Sequence, residues 1–361
     1  MTQERRNLNI VGIMSGTSLD GVDFVLVSKR AKNFKYKDMA SVSYTKKMKT
    51  SLLQLAEGKM GFRESQLLHF ELGKFYAKSL AKIKSDKKWK INLIGLHGQT
   101  VFHQAPKATT QIGEPSFLKE FNVPVVSDFR AKILSVGGQG APLAPIFHDA
   151  IMKEESYKRW GFLNIGGMSN LTCREGAKFT ATDLGPGNVF LDGAMRKLFS
   201  KDFDKGGRVA LKGLPDMKIV KSYCAKNKFL KKAAPKSCGR EEFSETELSN
   251  LLKQMKKLTK EDMLATLCEI TLLPIIKEIE KKKIDKLVVS GGGVYNGYLM
   301  KRLEEAFLDL EVLTSDDIGW PVQAVEGGAF ALLALYKLND VKADLSYMGL
   351  SKKLSPLGRI D

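Results

Sequence analysis

The sequence predicts an α/β protein of two lobes, each opened by a β-hairpin, and three observations predict it. Residues 8–28 hold two short apolar runs, LNIVGIM and VDFVLV, joined by SGTSLDG, whose Gly and Asp make a hairpin turn. Near residue 160 the pattern starts again, with GFLNIGG and SNLTCRE as apolar runs around a glycine-containing turn. Later segments follow the order strand, glycine turn, helix, as in KLVVS followed by GGGVYNGYLMKRLEEAF. The 361 residues suit two lobes of ordinary size. The repeat suggests an internal duplication, with an N-terminal lobe over 1–150 and a C-terminal lobe over 151–361 whose last helix is free to return to the first.

After the first hairpin, Leu52, Leu53, Leu67, Leu68, Leu72 and Phe75 fall near helical spacing and predict a helical region over 50–84. INLIGLHG (91–98) reads as a buried strand leading into a loop, and VPVVSDF (123–129) as another strand. VGGQGAPLAP is too rich in glycine and proline for regular structure. TATDLGPGN leads into a helix beginning near Val189, and the polar, Lys-rich stretch 215–260 reads as surface helices and loops. A helix over 262–280 precedes the strand KLVVS (286–290), and the last helix spans about 322–337.

Composition excludes several classes of protein. A hydrophobic fraction of 43% with 27% charged residues can build a full core. No apolar run approaches the ~20 residues that span a bilayer, and MTQERRNLNI lacks the apolar middle of a signal peptide. The expectation is a cytoplasmic protein with no membrane partner. Cys173, Cys224, Cys238 and Cys268 lie far apart without CxxC spacing, which argues against a zinc site and a disulfide framework. The net charge of +18 raises a nucleic-acid role, yet only 12 of the 58 basic residues are Arg. The Lys residues lie in amphipathic stretches such as KKWK, KEIEKKK and KQMKKLTK, which read as solvated helix faces. No nucleic-acid partner is expected. A preference for anions remains, and it suits ATP or an acidic sugar.

Several residues carry candidate chemistry. Ser15-Gly16-Thr17-Ser18-Leu19-Asp20-Gly21 sets small residues, hydroxyls and a carboxylate between two strands. Glycine lets backbone amides approach a phosphate, and the Asp makes sense there only with a divalent cation between. The segment lacks the GK[ST] ending of a Walker A loop, and an ordinary Gly-rich hairpin explains its composition equally well. Gly291-Gly292-Gly293, between strand and helix, is a second anion or nucleotide contact, or only a tight turn. Asp183 in TDLGPGN follows a strand at a glycine turn, placed either as a general base or as an Asx turn or helix cap. Asp192 reads as a surface or dipole-favoured acid early in the next helix. His97, Gln99 and Thr100 cluster polar groups past a strand, and His97 and His103 lack metal-ligand spacing. Arg130 either clamps a ligand or pairs with Asp128, and Glu326 either caps the last helix or faces the ligand.

Taken together these segments resemble the anhydro-N-acetylmuramic acid kinase family. The matching blocks are GIMSGTSLDGVD (12–23), LHGQTVFHQAP (96–106), QIGEPSFL (111–118), VVSDFRAKILSVGGQGAPLAPIFH (125–148), LNIGGMSNLT (163–172), ATDLGPGNVFLD (181–192), PKSCGREEF (235–243) and VSGGGVYNGYLM (289–300). They span nearly the whole chain, and MSGTSLDG and GGQGAPLAP are the most specific. The resemblance implies the two-lobed actin/hexokinase fold, built on ribonuclease-H-like units, and an unusual phosphotransfer. Water opens the internal bridge of 1,6-anhydro-N-acetylmuramic acid, and the freed oxygen at position 6 attacks the γ-phosphate of Mg-ATP, in recycling of peptidoglycan. Carried over by motif, Asp183 is the base that activates the water. Gly16, Thr17, Ser18, Leu19, Asp20, Gly21, Val22 and Asp23 hold the phosphates, with Asp20 and Glu326 near the Mg2+. Gly166, Gly167, Gly291, Gly292, Gly293 and Asn296 contact the nucleotide, and His97, Gln99, Arg130 and Glu326 line the sugar pocket. The family also implies a homodimer.

Three positions depart from the family pattern: Leu184 stands for the usual Thr after the base, Met168-Ser169 for Ile-Ala, and Gly327 for Ala after the glutamate. Of these, Leu184 deletes a hydroxyl beside the base. Levoglucosan kinase, a relative acting on a plain anhydro sugar, shares the catalytic motifs, and the same fold serves filament proteins and chaperones that use ATP without a sugar.

Overall fold

A computed structural model describes residues 7–16, 19–31, 33–154, 157–238, 240–350 and 356–361. The chain divides into two compact units, one of residues 1–154 with 319–361 and the other of residues 155–318.

The first unit opens with β1 (Leu8–Ser15), β2 (Gly21–Arg30) and β3 (Asn33–Ser43), then α1 (Lys46–Ala56) and α2 (Phe62–Asp86). It continues with β4 (Leu93–Gln104), β5 (Ala108–Ile112), β6 (Val125–Ser127), α3 (Ala131–Leu134) and α4 (Ala144–Glu154). The second unit holds β7 (Arg159–Ile165), β8 (Met168–Glu175), β9 (Lys178–Pro186), α5 (Asn188–Phe199), α6 (Met217–Lys226) and α7 (Lys228–Lys231). Then come α8 (Glu245–Gln254), α9 (Lys260–Glu280), β10 (Lys286–Ser290), α10 (Gly297–Ala306) and β11 (Glu311–Thr314). The chain returns to the first unit with α11 (Ala324–Leu338) and β12 (Arg359–Ile360).

One topology serves both units. In the first, the sheet order runs β3-β2-β1-β4-β6, extended by β12. β1–β2 and β2–β3 are antiparallel, whereas β1–β4 and β4–β6 are parallel. In the second, β9-β8-β7-β10-β11 repeats that order, with an antiparallel meander and two parallel pairs. Each unit is therefore a ribonuclease-H-like sheet, and the pair is the duplicated α/β architecture of the actin/hexokinase class.

Burial on both sheet faces explains why the central strands are runs of Val, Ile and Leu. Ile10, Val11 and Ile13 of β1, and Leu287, Val288 and Val289 of β10, are all fully buried. α11 (AVEGGAFALLALYKL) packs on β1, β4 and β2, and its small residues permit close approach: the carbonyl of Gly327 sits where a Cβ on Gly12 would be. Caps fix the helix starts where sequence provides them. Thr45 accepts from the Met48 amide at α1, and Asn296 from Tyr298 and Leu299 at α10.

Three expectations need correction. β4 runs on to Gln104 rather than giving way to a loop after Gly98, because β5 pairs its outer half. The single helical region over 50–84 is two helices, parted at residues 57–61. The Lys-rich stretch 215–260 is not merely surface: Val220, Phe229, Phe243, Leu248, Leu251 and Met255 enter the second unit's core.

Candidate active site

In the first unit the candidate residues gather at the β1–β2 turn, the middle of β4, the end of β6 and the start of α11. Gln99 is fully buried; its Nε2 donates to the Gly16 carbonyl at 3.0 Å, and its Oε1 accepts from the Tyr44 hydroxyl at 3.3 Å. Its amide thus ties the turn to β4, and both ends are used inside the protein. Leu19 takes a left-handed φ of 57°, and its amide closes on Gly16 at 3.3 Å, so the described part of the turn is tight. Thr17 and Ser18 lie outside the described residues.

The acids of this turn separate. Asp20 is exposed and ion-paired with Lys49. Asp23, one strand pair inward, is half-buried and accepts from the Ser41 hydroxyl at 2.5 Å. Burial pushes its carboxyl up, partly opposed by that hydrogen bond. Solvent reaches Glu326, yet the dense protein around it and the charge of Asp23 raise its carboxyl, against a downward pull from Arg130. The electrostatic partners of Glu326 are therefore Asp23 and Arg130, not Asp20. Two carboxylates placed so that the charge of Asp23 raises Glu326 are suited to sharing a cation.

His97 is buried, with its ring 4.3 Å from that of Phe330 on α11. Its Nε2 accepts from Arg130 Nε at 3.1 Å and Nη2 at 2.9 Å. Burial and the Arg130 charge hold the imidazole well below its usual range, against smaller pulls from the backbone of Gly98 and Ser15, so it is neutral. Burial likewise lowers Arg130 to about 10, opposed by Glu326 and Tyr347, and it stays charged at neutral pH. His97, though not Arg130, lies in the wall of a polar cavity of about 250 Å³, together with Gln111, Glu114, Asp128 and Arg359 among others.

In the second unit Asp183 stands within β9, not after it, and is half-buried. The segment 236–238 aims it. The Asp183 amide donates to the Lys236 carbonyl at 2.9 Å, and Asp183 Oδ2 accepts from the Cys238 amide at 2.7 Å. Burial pushes the carboxyl up; the Cys238 amide, the Ser237 hydroxyl and the Lys236 charge pull it back. Leu184, the unpaired residue of a bulge between Asp183 and Gly185, packs in the core at 2% exposure.

The glycine turns of this unit stack on one another. Gly291 has φ +82°, and a Cβ there would meet Asn164 Oδ1 at 2.5 Å; one on Gly293 would meet Ile165 Cβ at 2.5 Å. Gly166 and Gly167 accept from the amides of Asn188, Gly187 and Val189, which opens α5 beneath them. Next to these turns is a cavity of about 600 Å³, lined by Gly292, Asn296, Tyr295, Phe203, Asp192 and Arg208 among others. Asp192 faces it with a carboxyl raised to about 6 by burial, lowered in part by Arg196. Asp192 is thus a wall of a cavity rather than a surface acid. Phe203 and Arg208 gave no signal in sequence, because they belong to an irregular segment brought in by tertiary packing. Among the described residues no three His, Cys, Asp or Glu side chains are grouped to hold a metal.

Duplicated ribonuclease-H-like units with glycine turns at the strand ends define a protein of the actin/hexokinase-like ATPase class. Comparison with known proteins makes this particular. The family model described as Anhydro-N-acetylmuramic acid kinase matches residues 8–361, and the chain belongs to that family. The anhydro-N-acetylmuramic acid kinase of Sulfurimonas denitrificans is 35% identical over 365 residues, covering 97% of this chain and 98% of the relative. That of a Bacillus cereus strain is 35% identical over 351 residues, covering 90% and 91%. Among solved structures, the activator of 2-hydroxyisocaproyl-CoA dehydratase from Clostridium difficile with bound ADPNP aligns at a TM-score of 0.47 and 10% identity, over 96% of this chain and 99% of that one.

Proposed function

We propose that this chain phosphorylates 1,6-anhydro-N-acetylmuramic acid with ATP while water opens the anhydro bridge, giving N-acetylmuramic acid 6-phosphate and ADP. The observation that carries the reading is Asp183, a half-buried carboxylate held by the Cys238 amide in a chain matched to the family from residue 8 to its end. Asp183 accepts the proton of a water attacking the anomeric carbon. As that carbon–oxygen bond forms, the bond to the bridging oxygen breaks, and the released oxygen attacks the γ-phosphorus. Phosphoryl transfer itself needs mainly positioning and charge neutralisation.

The cavity beside Gly292 and Asn296 is assigned to the base and ribose of ATP, with Tyr295 and Phe203 as its aromatic surfaces. Tyr295→Ala is expected to raise the KM for ATP by about tenfold while leaving that for the sugar unchanged; initial rates with each substrate varied in turn check this. Mg2+ would supply charge neutralisation at the phosphates. Asp23 and Glu326 are hard oxygen donors fit for an ion that binds one or two carboxylates and keeps its remaining places for water and phosphate. Asp23 replaces Asp20 in this role, since Asp20 is paired with Lys49.

The pH dependence follows from the base. Asp183 must be ionised to accept a proton, and burial raises its pKa. Activity should therefore fall on acidification sooner than an unperturbed aspartate would dictate. Ser237→Ala removes a hydrogen bond that favours the carboxylate, so the acidic limb of kcat/KM should move to higher pH. A limb that stays in place in Ser237→Ala would assign it to another group, with Glu326 the first candidate.

The net charge of +18 supports the muramic acid, whose lactyl group is anionic, over plain levoglucosan. Mg-ATP supplied with each sugar, products read by mass, tests the whole reading. The expected product is heavier than the anhydro-muramic acid by phosphate plus water. A gain of phosphate alone, a preference for levoglucosan or ADP release without sugar would overturn it. A cytoplasmic homodimer belongs to the same proposal, with sedimentation to check the dimer. Among the described residues no helix is long and apolar enough to cross a membrane.

A further inference from the structure

We propose that His97 is a positioning residue: it acts on the sugar through Arg130, whose guanidinium it fixes, rather than by touching the sugar itself. This rests on the kinase reading above and deepens it.

Three observations carry the proposal. First, the only acceptor nitrogen of a neutral imidazole is taken, because Nε2 receives both Arg130 Nε and Nη2, at 3.1 and 2.9 Å. That arrangement puts the proton on Nδ1, which is buried and has no hydrogen-bond partner among the described residues. Second, the ring is held in place by packing even though His97 forms part of the wall of the cavity of about 250 Å³. It is buried at 5% exposure and lies against Phe330. Third, Phe330 and Glu326 are four apart on α11, so one face of that helix supports the histidine and carries the acid that attracts Arg130. Arg130 is thereby gripped at Nε and one Nη2 hydrogen, and among the described residues Nη1 and the other Nη2 hydrogen have no hydrogen-bond partner and can meet hydroxyl or carboxylate oxygens. A neutral acceptor is needed for this. A protonated ring would offer no lone pair and would repel the guanidinium.

The proposal separates substitutions by what they keep. His97→Phe retains the aromatic volume against Phe330 but removes the acceptor, whereas His97→Gln places an amide oxygen near the position of Nε2. His97→Phe is expected to raise the KM for the sugar by about 10- to 100-fold, the range for a lost hydrogen bond to a charged group. The KM for ATP and the thermal midpoint should be little changed, and His97→Gln should recover most of the lost affinity. In the Arg130→Ala background, His97→Phe should add almost nothing. Equal losses from Phe and Gln, or losses in His97→Phe and Arg130→Ala that multiply in the double variant, would overturn the proposal by showing that His97 acts independently. A drop in thermal midpoint with KM unmoved would overturn it in favour of a packing role. Wild-type protein without sugar-dependent turnover would instead sink the kinase reading and leave the Arg130–His97 geometry standing.

Discussion

Asp183→Asn should lower sugar-dependent ADP formation by about a thousandfold or more, within the range that a positioned general base contributes. The substitution is close to isosteric. An asparagine Oδ1 can still accept from the Cys238 amide, which now meets Asp183 Oδ2 at 2.7 Å, so β9 and the 236–238 segment have no reason to move. What the amide cannot do is take a proton from water. The cavity assigned to nucleotide is lined by α5, the loop at 203–208 and the 292–296 turn, and not by Asp183. Nucleotide affinity, read by fluorescence or calorimetric titration, should therefore stay within a few-fold of wild type. A variant that keeps more than a few per cent of activity would mean that water is activated by some other group. Loss of ATP binding along with turnover would mean that the residue orients phosphates instead.

The elements most legible in sequence are those that local pattern alone determines. Both hairpins, the GGG turn, α9 and α11 follow from apolar periodicity and glycine position, and they stand where the pattern puts them. What escapes is long-range. The polar letters of Gln99 and Thr100 suggest a loop, yet β5 pairs that half of β4, and a buried Gln99 is satisfied by Gly16 and Tyr44, 83 and 55 residues away. The Lys-rich stretch 215–260 shows its charges in every window, while Phe229 and Phe243, which meet each other in the core, are 14 apart and fit no single period. Within the site, the types of residue were readable but not their partners. Asp20 and Asp23 look alike in SGTSLDGVD, and only the register of β2 against β3 gives Asp23 a serine and leaves Asp20 to Lys49. Ser237 and Cys238 are more than 50 residues from the carboxylate they hold, so no spacing rule reaches them.

Gly12→Ala should cost the first unit about 3 kcal/mol or more, at or beyond the upper end of ordinary overpacking. The reason is space, not conformation, since Gly12 is not among the glycines with positive φ. A Cβ on Gly12 would lie 1.9 Å from the Gly327 carbonyl oxygen and 2.9 Å from the Ala331 amide nitrogen. Both are backbone atoms of α11, so no side chain can rotate away and the helix must lift from the sheet. Against this, the lower unfolded-state entropy of alanine stabilises by only about 0.4–1 kcal/mol. Gly167→Ala is the control, because its methyl would meet nothing within 4 Å, and its stability should change by no more than about 1 kcal/mol. Urea midpoints of the two variants compare the effects directly; equal midpoints would show that α11 yields more easily than its backbone contacts imply. The same contact gives a physical reason for the Gly327 departure. A Cβ at Gly327 would come within 2.4 Å of Val25 Cγ2 and 2.9 Å of its Cβ, so glycine lets the helix settle where Val25 stands. Because α11 also carries Glu326 and Phe330, lifting it moves the acid away from Asp23 and the support away from His97. Gly12→Ala protein that remains folded should therefore lose sugar affinity as well as stability, joining the packing of β1 to the chemistry at the start of the helix.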